Sequence, residues 1–406
     1  MHHAHVSSIE FIPFFVLTYL LTIERKSLLL LLLTIALYAL NALSCWYYLF
    51  YIAYFIAFHT LYIAIRDRAS PRGWQLLTPV ACLAGVIAAL SPMLLPMVRA
   101  AIGSALVYPV GPGGDLYVAD LFAYPAFPRF HIFAPLADGI YRRLHSGVEW
   151  EATVYVGVVN IAVLAYLCLT ARHKDARLLT YVLSGMAAFC IFASGDSLHV
   201  LGYRTIPMPN AALSRLPLFG NVRTPSRAIV FVYMFLAIGI GHAAALAWRH
   251  RQRPRVRWGM AALGALIVLD FFPARRLAMT PVACSSGLAV IRDDPEKGFG
   301  VLDLPRWSYV ESNFYMLQQA CHSRPIAQGN TSRDVVVSLR DRLETRDLQA
   351  QQRQLAAAKI KYIVINRHNN VGRLFLWDPE DGPEDQYLAT YPTVYDGPDL
   401  TVLKVY

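Results

Sequence analysis

The stretch GNVRTPSRAIVFVYMFLAIGIGHAAALAW (residues 220–248) places two arginines, Arg223 and Arg227, around a proline and directly before an apolar run. No Asp, Glu, Lys or Arg occurs between Arg227 and Arg249. A helix of roughly 20 apolar residues spans the hydrocarbon of a bilayer. This run therefore predicts a membrane-spanning helix, with a pair of guanidinium groups at one mouth. The side on which that pair lies, and the anion that keeps it there, set the functional question.

Similar runs occur at about 9–23, 27–44, 46–65, 77–99, 152–170, 178–194 and 258–272. They predict eight helices, of which the first, sixth and last are short for a span. Only 16% of the 406 residues are charged and 56% are hydrophobic, whereas a soluble domain carries about 25% charged residues. Unsatisfied backbone cannot cross hydrocarbon, so the spans are helical.

Loop charges orient the chain. Arg25 and Lys26, then Arg66, Arg68 and Arg72, then Arg172, Lys174 and Arg177, and finally the five arginines from Arg249 to Arg257 occupy four short loops. In an eight-span arrangement these loops share one side, which the positive-inside rule makes cytoplasmic. Together they exceed the net charge of +10. The basic balance thus reports topology, and no basic stripe on a soluble face points to nucleic acid. The outer loops 100–151 and 195–227 and everything after Pro273 fall on the opposite side, and the arginine pair with them.

The fold expected is an α-helical multi-span membrane protein of the cytoplasmic (inner) membrane. Its polytopic part covers 1–272, followed by an extracytoplasmic mixed α/β domain over 274–406. FGVLDLP (299–305) and KYIVINR (361–367) read as short buried strands and 392–406 as a closing hairpin. The segment 332–360 reads as helical. Cys284 and Cys321 lie in the exported part and can pair in an oxidising compartment, while the other four cysteines lie in or beside spans. An outer N-terminus before a short first helix with Glu10 and Pro13 reads as the tail of a longer chain, and further spans are expected before it.

Two stretches carry candidate chemistry. Arg223 and Arg227, four apart where the chain enters a helix, suit a lipid-borne phosphate: each offers a planar fork of donors, and the helix N-terminus adds its dipole. Alternatively they snorkel to headgroups and bind no specific ligand. In the loop 100–151, Asp115 and Asp120 stand among aromatics that could stack on sugar rings. Either carboxylate could serve as a general base or hold a divalent metal ion on a diphosphate; an interfacial loop with solvated aspartates is the alternative. No metal-ligand spacing occurs. Asp270, at the end of the last span, could pair with Arg275 or Arg276.

Several quoted pieces together resemble a known class. HxHxxxxEFIPFFVL, SCWYYLFYIAYF, VADLFAYPAFP leading to EATVYVGVVNIAVLAYL, the segment IPMPNAALSRLPLFGNVRTPSRAIVFVYMFLAIGIG, DFFP, VLDLP, CHSRPIAQGNTSR and KYIVINR occur in that order. They resemble the C-terminal two-thirds of bacterial membrane proteins of the YfhO-like, GT-C-type glycosyltransferase class. The resemblance implies sugar transfer from a polyprenyl-phosphate donor on the outer face, with Arg223 and Arg227 on the donor phosphate and Asp120 as the loop aspartate. That class keeps its catalytic carboxylate in a first outer loop that has no counterpart here. A non-catalytic scaffold or binding protein of envelope assembly is the rival function. A transporter fits less well, because the spans lack mid-membrane charges and repeated halves.

Overall fold

The computed structural model describes residues 8–67, 72–102, 117–144, 153–170, 173–214, 222, 224–274, 284–305, 309–327, 339–367 and 383–406. Asp115 and Arg223 lie outside them, as do Arg275 and Arg276.

Each apolar run is helical. The helices are α1 (Phe11–Arg25), α2 (Leu28–Ser44), α3 (Trp46–Asp67), α4 (Trp74–Ile102), α5 (Val158–Thr170), α6 (His173–Ala193), α7 (Ile229–Trp248) and α8 (Pro254–Asp270). Four segments are long and apolar enough to cross a membrane by length and composition: Trp46–Arg66, Trp74–Pro96, Asp175–Ala193 and Pro225–Trp248. Helices α2 and α5 are apolar but shorter. Their outward faces carry large apolar side chains, with Leu29 77% and Leu169 87% exposed. A water-soluble helix turns such residues inward.

The interior is built from rings. Phe189 of α6 stacks on Phe231 of α7 with centroids 4.6 Å apart and planes 7° apart. Phe55 of α3 stacks on Phe231 as well, and Phe15 of α1 meets Phe55 edge-on. Each such pair contributes about 0.5–1.5 kcal/mol beyond the area it buries. Gly185 makes the α6–α7 approach possible, since a Cβ there would meet the Phe235 ring at 2.4 Å.

These contacts also fix helix polarity. Phe15 and Tyr19 pair with Phe55 and His59, so α1 and α3 run parallel. Tyr51 meets Phe192, while Tyr62 Oη donates to the Arg177 carbonyl, so α3 and α6 run antiparallel. His242 near the end of α7 reaches Asp175 at the start of α6, 3.2 Å away. The Thr22 and Thr34 hydroxyls bond across the α1–α2 hairpin. Arg25, Lys26, Arg66, Arg177 and the arginines after α7 consequently gather at one end of this bundle. The starts of α3, α5 and α7 lie at the other.

By internal contacts the chain divides into one unit of residues 1–97 and 110–277 and a second of 98–109 and 278–406. The second unit contains a four-stranded mixed sheet of β3 (Gly300–Leu304), β4 (Ile360–Asn366), β5 (Thr393–Asp396) and β6 (Leu400–Lys404). Its order is β3-β4-β6-β5, with β3 parallel to β4 and the other pairs antiparallel. All residues of β3 and β4 are buried, because apolar clusters cover both faces. Leu302, Ile363 and Leu403 point into one cluster, and Val301, Val364 and Val402 into the other. The helix α9 (Leu288–Arg292) joins the second cluster, and α10 (Tyr309–His322) supplies Cys321 to it.

The helix expected across 332–360 is shorter among the described residues. The segment α11 (Leu348–Ala357) begins where Asp347 accepts the Gln349 and Ala350 amides. That cap sets a start in the middle of a run of good helix formers.

Cys284 and Cys321 form a disulfide, with Cα atoms 5.6 Å apart. Thiol labelling of the unfolded, unreduced protein is expected to find four free cysteines; six would refute the bond. Its removal should lower the stability of the second unit by about 2–4 kcal/mol, read from thermal unfolding of C284S.

Candidate anion-binding site

Arg227 sits in the short 3-10 turn Pro225–Ala228 that feeds α7. Pro225 is well placed here, because the first turn of a helix has no use for its missing N–H. The guanidinium lies over the Tyr47 ring, 5.1 Å from its centroid. Tyr51 Oη donates to the Thr224 carbonyl at 2.9 Å, and the Tyr47 and Thr224 hydroxyls are 3.4 Å apart. The start of α3 is therefore clamped to the start of α7. The Ser226 N–H donates to the Tyr117 carbonyl, while its buried Oγ has no hydrogen-bond partner among the described residues. Cys45 feels the Arg227 charge, and Tyr48 feels both Arg227 and Glu10.

The electrostatics of this corner are unusual. A helix N-terminus carries roughly half a positive charge and disfavours a cation in its first turn. Arg227 adds a full charge there, half-buried beside tyrosines. An anion at this spot would meet the guanidinium and the helix dipole together. The RxPxR spacing pointed to this place; the tyrosine clamp from α3 was not legible, because 173 residues separate Tyr51 from Thr224.

Asp120, one of the two candidate loop carboxylates, is engaged by backbone amides. Its carboxylate accepts from the Phe122 N–H at 2.9 Å, the Leu201 N–H at 3.1 Å and the Gly202 N–H at 2.8 Å. Those amides belong to its own turn and to the turn between β1 (Ser197–Val200) and β2 (Tyr203–Pro207). With three amides on its carboxylate and only 2% of the residue exposed, it holds these loops together. Asp115, the other carboxylate singled out, lies outside the described residues. Among the described residues no three His, Cys, Asp or Glu side chains converge to hold a metal ion.

Asp270 forms a second anchor; Arg275 and Arg276, its expected partners, lie outside the described residues. Asp270 accepts from Tyr155 Oη at 2.6 Å and from the Val159 N–H at 3.0 Å, so the end of α8 caps the start of α5. Gly157, at φ +86°, is required there: a Cβ would come within 2.9 Å of Asp270 Oδ2. His131 accepts the Phe133 N–H at Nδ1, which leaves its proton on Nε2, 3.9 Å from Asp270. Asp270 thus satisfies amides that a helix start leaves open.

In the second unit the buried Asp303 faces Asn366, whose amide donates to it at 3.3 Å, and Gln318 Nε2 donates to Asn366. Burial pushes the Asp303 carboxyl up to about 7, against the opposing hydrogen bond from Asn366. Asp294 behaves oppositely. Burial raises its carboxyl, but the bonds from Lys361, Tyr362 and the Glu296 amide outweigh this and hold it near 2.

No protein-family model and no curated protein matches this chain.

Two outcomes test these assignments. Asp120→Ala strands the Leu201 and Gly202 amides and should lower stability by about 1–3 kcal/mol, seen as a drop in Tm of the purified protein. An unchanged Tm would remove the anchor. For Asp303 the folded form binds a proton that the unfolded chain, with an ordinary Asp near 3.9, has lost. Stability of the second unit should fall as pH rises from about 4 to 7 and then level off. Hydrogen exchange of the β3 and β4 peptides should show that slope, and Asp303→Asn should flatten it.

Proposed function

We propose that this is a multi-span membrane protein that recognises a lipid-linked phosphate at the mouth of α7, and that it belongs functionally with GT-C-type glycosyltransferases using polyprenyl-phosphate-linked sugars. The observation that carries this reading is Arg227: a half-buried cation at a helix N-terminus, its guanidinium over the Tyr47 ring and its charge felt by Tyr48 and Tyr51. The gathering of the basic loops at the opposite end supports an orientation with that mouth outside. The Cys284–Cys321 disulfide supports an extracytoplasmic second unit.

In such a reaction the bond between the sugar carbon and the phosphate oxygen breaks while an acceptor hydroxyl attacks. Negative charge collects on the departing lipid phosphate. Arg227 and the dipole of α7 would stabilise that charge where it develops, and the tyrosine clamp would hold the donor in place. The attacking hydroxyl's proton needs a base, and Asp120 is already engaged by three backbone amides. The second reading is a binding or scaffold protein of envelope assembly that holds the lipid phosphate without turnover.

Binding of a polyprenyl monophosphate to the full chain in nanodiscs, followed by native mass spectrometry, tests the shared core of both. Arg227→Ala should weaken binding by about 10–100-fold, the worth of a charged hydrogen bond. Undiminished binding would sink the phosphate site. Transfer from a labelled lipid-linked sugar by the wild type separates the enzyme from the scaffold.

A further inference from the structure

The segment 120–144 is built inside out for a soluble loop. Its inward positions are small or polar: Ala123, Ala126, His131, Ala134 and Ala137 are all buried. Its outward positions are large and apolar. Leu121, Phe122, Ile132, Phe133 and Leu136 are 50%, 41%, 67%, 52% and 75% exposed. A protein surface in water rarely gathers such residues on one short segment.

The segment is held firmly. Asp120 ties its start to the β1–β2 turn, and the Val156 N–H donates to the Tyr124 carbonyl. Tyr141 Oη donates to the Ala126 carbonyl, and Phe127 packs on Tyr155, the partner of Asp270. The apolar display is a rigid platform fixed to the starts of α5 and β1 and to the end of α8.

Two features identify what covers it. The platform continues the apolar outer faces of the helices it rests on, where Val158 and Ile161 of α5 and Val268 and Leu269 of α8 are exposed. It also carries exposed Arg129, Arg142 and Arg143 beside the apolar residues. Large apolar side chains with flanking cations are the pattern of a segment lying in the membrane interface, its apolar face among acyl chains and its cations at headgroup phosphates.

We infer that residues 121–143 form an interfacial platform embedded in the outer leaflet, with anionic phospholipid as its partner. The inference rests on the membrane reading above. Asp120 and Asp270 serve this platform by locking it to the bundle. The surface lies at the same end of the bundle as Arg227, where a lipid-borne substrate would arrive.

The test is photocrosslinking of the full chain in phosphatidylcholine–phosphatidylglycerol nanodiscs, with p-benzoylphenylalanine at Ile132 or Leu136. Asp138 serves as the polar control on the platform, and Ile87 on the outward face of α4 as the control for the spans. Lipid adducts at 132 and 136 are expected at about fivefold or more the yield at 138. The double variant R142E/R143E should cut the phosphatidylglycerol share of those adducts severalfold. Crosslinks to a second chain, or to this chain's own residues, would overturn the inference. So would absence of lipid adducts at 132 and 136 while Ile87 gives them. Absence at Ile87 too would bring down the membrane reading itself, and the platform with it.

Discussion

The stack of Phe189 on Phe231, admitted by Gly185 opposite Phe235, is the contact on which the first unit depends. These helices pack through interlocking rings and through hydroxyls bonded between them, such as Thr22 and Thr34. Rings from α1, α3, α6 and α7 interlock around that stack. The direction of each pair then decides that the basic loops collect at one end and the starts of α3, α5 and α7 at the other.

At that second end the governing constraint is the open amide. A helix start leaves its first N–H groups without intrahelical partners. Two aspartates meet such needs from a distance in sequence: Asp270 for α5, and Asp120 for the β1–β2 turn. The start of α7 is different. It carries Arg227, which adds charge of the same sign as the dipole. Arg227 in that first turn, with its guanidinium over the Tyr47 ring, is what makes this corner the candidate for an external anion.

The second unit follows ordinary soluble logic. Two apolar clusters sandwich a sheet whose central strands are buried on both faces, and a disulfide ties residue 284 to α10. Against that background Asp303 is the exception. It keeps a carboxyl in a dry interior with amide neighbours and thereby makes the unit sensitive to pH near neutrality.

Much of this was legible in order of composition and spacing. Apolar run length determined where eight helices form, because helix formation is local and hydrophobic runs bounded by charge are unambiguous. Alternation and β-branching marked 299–305 and 361–367 as strands. The RxPxR spacing marked the mouth of α7. What the tertiary structure alone decided were the partnerships across long separations: Tyr51 on Thr224, Asp270 on Val159, and Asp120 on Leu201 and Gly202. A carboxylate in a loop looks the same in sequence whether it faces a substrate or three amides. Only the folded chain brings the Phe122, Leu201 and Gly202 amides within hydrogen-bond distance of Asp120.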